Sequence, residues 1–155
     1  MKVSKIRSVE ILACDAGWRN YHFVKITTED GIVGWSEFDE GFGAPGVGAA
    51  IQRLSTRVVG QNAFQHERIY AELFAATRPA TGGVVALAIG AIENALLDAK
   101  AKLLGVPCYE LLGGKIRDHA RTSDRLSAVP AGVAIVGIAA APAAKLHQRH
   151  PRPGL

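Results

Sequence analysis

The sequence is short of cysteine, of aromatics, and of net charge wherever a folded body would carry it. Its two cysteines, Cys14 and Cys108, lie far apart in 155 residues. That excludes a disulfide scaffold and reads as two free thiols of a reducing compartment, the cytoplasm. Aromatics make up 6% of the chain, and none follows Asp124. Residues 1–124 hold 14 Lys/Arg and 14 Asp/Glu, so the net charge of +4 comes from Arg125, Lys145, Arg149 and Arg152. A nucleic-acid reader sets basic side chains beside stacking aromatics on its folded body, so no nucleic-acid partner is expected. No apolar run of signal-peptide type follows Met1, and the uncharged stretch 128–144 is broken by Pro130 and Pro142. Neither a secretory signal nor a membrane span is expected. The length also excludes a complete (β/α)8 barrel, which takes about 250 residues.

What is present is enough for one ordinary core: 48% hydrophobic and 21% charged residues. Val3, Ile6, Val9 and Ile11 lie in a β-branched run ending near Cys14. Residues 21–28 alternate around Phe23, Val24 and Ile26. Glu29-Asp30-Gly31 then predicts a hairpin turn, with Asp-Gly supplying the positive φ, and 32–38 a third strand. Ile51, Leu54 and Val58 predict a helix stopped by Gly60, and a second helix starts near Phe64 and carries Ile69, Leu73 and Phe74. From Val84 to Leu104 a stripe of Val85, Ala88, Ile89, Ile92, Leu96, Ala99 and Leu103 repeats at three and four, closed by Gly105 and followed by Pro107. The fold class is therefore α+β: a three-stranded antiparallel meander, then a helical subdomain of about three helices.

The segment Ala88-Ile89-Gly90-Ala91-Ile92-Glu93-Asn94-Ala95-Leu96-Leu97-Asp98-Ala99-Lys100-Ala101-Lys102 continues through Gly105-Val106-Pro107 to Leu111-Leu112-Gly113-Gly114. With Val33-Gly34-Trp35-Ser36-Glu37 before it, this resembles the N-terminal capping domain of the mandelate racemase/muconate-lactonizing branch of the enolase superfamily. Cys108 departs from the pattern, which has an aliphatic residue there. The resemblance implies removal of a proton next to a substrate carboxylate, with Mg²⁺ on three acidic side chains and a Lys or His base. Those groups belong to barrel strands, so no catalytic residue and no metal ligand is expected here. The parent enzyme's partner is a small-molecule carboxylate, and its chemistry a dehydratase or racemase type. Expected boundaries are 1–114 for the capping domain, 115–123 for a linker with a remnant of the first barrel strand, and 124–155 for a low-complexity tail. The tail's Ala/Pro/Arg composition resembles a GC-rich gene read in a shifted frame.

Two loops, Asp15–Tyr21 and Asp39–Gly48, match those that close over the family's active site. Trp18 and Phe42 would supply apolar walls, Arg19 a carboxylate-binding fork and Tyr21 a hydroxyl. A polar first loop suits a polyhydroxy acid. Lys100-Ala101-Lys102 imitates a Lys-x-Lys base motif but falls on a helix, so both lysines are expected to be solvated. Gly41, Gly43, Gly46 and Gly48 lack phosphate-loop spacing. Glu93 and Asp98, five apart, do not converge on a metal. Without a barrel, the exposed apolar face would invite self-association or a partner, which makes a non-catalytic interaction protein the alternative reading.

Overall fold

The computed structural model describes residues 3–17, 19–41, 44–80, 82–117 and 119. Three strands come first: β1 (Ile6–Asp15), β2 (Asn20–Thr28) and β3 (Val33–Phe38), antiparallel in the order β1-β2-β3. The β2–β3 turn holds Gly31 at φ 80°, and Gly31 N–H donates to the Thr28 carbonyl at 3.0 Å, so the Asp-Gly pair acts as expected. Helices α1 (Val47–Val58), α2 (His66–Ala76), α3 (Gly83–Leu104) and the four-residue α4 (Cys108–Leu111) follow, with short 3-10 turns at Ala63–Gln65 and Arg78–Ala80. No periodic signal marks α4 or the 3-10 turns, because one turn of helix is too short to show a repeat. All these elements lie in one compact unit, Met1–Ile116.

Register places Val9, Ile26 and Gly34 side by side, with Ile11, Val24 and Ser36 beside them. This face is the buried one, and α3 and α1 cover it. Val24, Ile26, Val47, Ile51, Val58, Ile69, Ile92 and Leu96 are sealed from water. Along α3 the buried set also takes in Ala91, Ala95 and Ala101, so the helix is covered on a broader face than the predicted stripe. The reason is the β3 contact. A Cβ on Gly34 would collide with the Ala95 carbonyl oxygen and stand 2.8 Å from the Ala99 Cβ. The backbones approach that closely only because Gly34, Ala95 and Ala99 are small.

α3 also closes the β3 edge with its side chains. The Trp35 N–H donates to Asp98 Oδ2 at 2.8 Å, and Lys102 Nζ donates to the Val33 carbonyl at 2.8 Å and to Asp98 Oδ2 at 2.7 Å. Two edge groups that would otherwise offer themselves to a foreign strand are thereby satisfied. Gly105, at φ 71°, ends α3 in the left-handed conformation. Its N–H reaches the Lys102 carbonyl and that of Val106 reaches Ala101, the two bonds of a Schellman cap.

One expectation is corrected. Lys100 is not solvated. It is half-buried, and its Nζ lies 3.2 Å from His66 Nδ1 on α2. Lys102 is more exposed but is committed to the β3 backbone. Neither is available as a base. Of segment 115–123, residues 115–117 and 119 are described and carry no strand. The rest of it, and the tail expectation for 124–155, fall outside the described residues. No described helix is long and apolar enough to cross a membrane.

Candidate functional site

In an antiparallel meander, the β1–β2 connection and the exit from β3 leave the sheet at the same end. Register confirms it: Asp15 pairs with Asn20, and His22 with Phe38. The two candidate loops therefore emerge side by side.

The first loop is short and held by its own polar groups. Gly17 N–H donates to Asp15 Oδ1 at 2.8 Å, and Ala16 N–H to the Arg19 carbonyl at 3.0 Å; Gly17 takes φ 84°. Arg19 Nη2 lies 3.0 Å from Glu37 Oε1, with the two side chains 42% and 50% exposed. Its guanidinium carbon also sits 4.1 Å from the Tyr21 ring centroid, a cation–π contact. Arg19 and Tyr21 thus come together, and Glu37 joins them. One corner of the fork already meets a carboxylate, though at half exposure such a pair exchanges readily with a competing anion. On the opposite face His22 lies beside Phe38, with ring centroids 5.6 Å apart. Trp18 and Phe42 are outside the described residues.

The second loop is tied to the start of α1. Glu40 Oε1 accepts from Gly46 N–H at 2.8 Å, and Oε2 from Gly48 N–H at 2.6 Å. Gly46, the residue before α1, adopts φ 98° and has no side chain to cap the helix. Glu40 supplies the anion that the helix N-terminus favours. Two amides that a phosphate cradle at these glycines would need, those of Gly46 and Gly48, are thus taken by the chain's own carboxylate. Glu40 went unremarked in the sequence reading. The available signal was a helix start without Ser, Thr, Asp or Asn, preceded closely by an acid.

Magnesium is the metal the resemblance implies. Among the described residues no three His, Cys, Asp or Glu side chains gather where they could hold a metal ion. Asp98 is bound to Trp35 and Lys102. The described residues therefore do not fit a magnesium site. Both cysteines are free, and burial raises the pKa of the Cys108 thiol, which makes it a poor nucleophile. The described site offers a guanidinium, a phenol and a carboxylate at one end of the sheet, on Arg19, Tyr21 and Glu37.

Residues 4–113 match the family model for the mandelate racemase / muconate lactonizing enzyme N-terminal domain. Among curated proteins, a D-galactonate dehydratase of Pectobacterium atrosepticum is 37% identical over 138 residues, covering 86% of this chain and 35% of that protein. A D-galactonate dehydratase of Ralstonia pickettii is 38% identical over 72% of this chain and 30% of its own length. The chain spans about a third of the length of the curated relatives it matches. Among solved structures, a Burkholderia xenovorans protein provisionally named L-alanine-DL-glutamate epimerase, with magnesium and fumarate bound, is 71% identical. It covers 74% of this chain and 28% of that one, with a TM-score of 0.72. A provisionally named galactarate dehydratase of Agrobacterium radiobacter, with sodium and L-malate, shares 28% identity at TM-score 0.67, covering 74% of this chain and 29% of that one.

Proposed function

The chain belongs to the mandelate racemase / muconate lactonizing enzyme family, whose N-terminal domain it carries, and on that premise we propose that it is the capping part of a magnesium-dependent enzyme that removes a proton next to a substrate carboxylate. An acid sugar is the substrate class. The observation that carries this reading is the pairing of the two loops at one end of the sheet, with Arg19, Tyr21 and Glu37 gathered there. Arg19 would meet the substrate carboxylate and Tyr21 a hydroxyl, while Trp18 and Phe42 would exclude water. Magnesium, when bound in the complete enzyme, would stabilise the charge that develops as the proton leaves. Its ligands and the base would come from a barrel, so the chain alone is inactive in this reading.

The D-galactonate dehydratase relatives support an acid sugar. An epimerase acting beside a carboxylate starts with the same proton removal, so the name of the Burkholderia protein fits the reaction class, though not the substrate. The experiment is a graft. Residues 1–114 replace the corresponding domain of the Burkholderia protein, and kcat/KM is measured with magnesium on D-galactonate, galactarate and an alanine–glutamate dipeptide. The graft is expected to turn over, with a preference that follows loops 15–21 and 39–48 when they are exchanged, and the purified chain alone to be silent. A folded but inactive graft, or turnover by the chain alone, refutes the proposal.

The other reading, a non-catalytic interaction protein, rests on the exposed Leu104, Tyr109, Leu112 and Ile116 around α4. It predicts that Leu112→Ser and Ile116→Ser abolish partner binding, whereas the enzymatic reading places the sensitive residues in the loops.

A further inference from the structure

The sheet has two edges, and they are treated differently. The β3 edge is closed by Asp98 and Lys102 of α3. The β1 edge is closed only at its start: Ile6 N–H donates to the Gln61 carbonyl at 2.9 Å, the Ile6 carbonyl accepts from Gly60 N–H at 2.8 Å, and Lys5 bridges to Asn62. From Arg7 to Asp15, no described residue pairs with the side of β1 that faces away from β2. Such an edge is a template for another strand.

We propose that its occupant is the β1 of a second copy of this chain, antiparallel about a two-fold axis at Ile11, so that two three-stranded sheets join into one. The charges select this register. It sets Arg7 opposite the partner's Asp15, Ser8 opposite the partner's Cys14, and Val9 opposite the partner's Ala13. A two-fold at Glu10 would oppose two like carboxylates. A two-fold at Leu12 would leave Arg7 facing the partner's Gly17, beyond the strand. Arg7 has no ion pair among the described residues and would gain one from the partner's Asp15, so in this register the edge carries charge that matches itself rather than repels. An edge guarded against association would carry charge of one sign or a proline; β1 has neither.

Apolar surface lies at the same place. Ile11 is 37% exposed. With Val9 and Ile51 it lines a cleft of about 600 Å³, to which Glu10 and Leu12 of the opposite sheet face also contribute, so the cleft reaches the edge itself. Backbone pairing would supply the attraction, and the side chains at Arg7, Ile11 and Asp15 the register.

Sedimentation velocity from micromolar to sub-millimolar protein tests the association, and a cysteine pair tests the register. The chain should pass reversibly from monomer to dimer. Ile11→Lys, which sets two ammonium groups opposite each other on a side chain 37% exposed, should stay monomeric while still melting cooperatively. Arg7→Asp should weaken the dimer by an order of magnitude or so, and the double exchange Arg7→Asp/Asp15→Arg should restore it. Ser8→Cys, oxidised with glutathione disulfide, should give a dimer on a non-reducing gel through Cys14 of the partner subunit, and adding Cys14→Ser should abolish that band. A chain that stays monomeric throughout, or a dimer that Ser8→Cys fails to cross-link while the variant melts normally, overturns the proposal.

Discussion

The seam between β3 and α3 and the loop end of the same sheet are built from opposite materials. At the seam a glycine and two alanines bring backbones into contact, and an Asp–Lys ion pair also binds main-chain groups of β3. At the loop end Arg19 meets side chains, the Tyr21 ring and, at about half exposure, the Glu37 carboxylate. The first arrangement has no slack, and the second has partners that an incoming anion can replace. Stability belongs to the seam, and the proposed recognition to the loops. A capping domain needs that division, because loops that adjust to a substrate must hang from a frame that does not.

The largest effect should come from removing the seam's clearance. Gly34→Ala puts a methyl against the Ala95 carbonyl, which no rotamer relieves, and should cost about 3 kcal/mol or more. A thermal melt near that of wild type would show that the two backbones can part. Leu96→Ala, in the sealed core under the sheet, should cost about 2–5 kcal/mol in a urea titration. Asp98→Ala leaves the Trp35 N–H without its acceptor and Lys102 without its partner; a loss of roughly 1–3 kcal/mol is expected. At the loop end the penalties shrink. Glu40→Gln should lower stability by about 1 kcal/mol, through the weaker anchor at the α1 N-terminus, and should speed proteolysis between residues 39 and 48 more than anywhere else.

The smallest effect is a pH dependence at the α2–α3 contact. Burial, and then the neighbouring Lys100 ammonium, lower the His66 pKa below its usual 6.5, while Glu67 and Glu93 pull the other way. The folded state therefore binds fewer protons at this site than the unfolded chain. The contribution to stability is full above pH 6.5 and is lost as the pH falls through the lowered value. His66→Gln should flatten this part of the profile, whereas Lys100→Ala should reduce the His66 shift rather than act as a neutral surface change.

Much of this division was legible in the chain. The Asp-Gly turn, the long α3 stripe and its Gly105–Pro107 stop are local signals, set by φ preferences and periodicity, and they fixed the α+β order before any contact was known. Asp98 with Lys102 was readable as a helical pair, but not as an edge lock, because its targets at residues 33 and 35 are distant in sequence. Lys100 misled for the same reason: a lysine between alanines looks solvated until α2 brings His66 against it. At the candidate site, Arg19 and Tyr21 were singled out by the resemblance of their loop to the family's and by residue type, and the structure sets them in contact. Glu37 and Glu40 were missed because carboxylates that serve their own backbone or a neighbouring arginine carry no spacing signature.

Amide hydrogen exchange separates the two kinds of construction most directly, and the Trp35 N–H is the probe to follow. It points out of the edge of the sheet, where an unpaired amide exchanges freely. Held by Asp98, it should exchange as slowly as the amides of Val24 and Ile26 in the central strand, and far more slowly than those of the β1–β2 loop. A Trp35 amide that exchanges as fast as the Gly17 amide would mean that α3 does not lock the edge, and the frame on which the loops are said to hang would be gone.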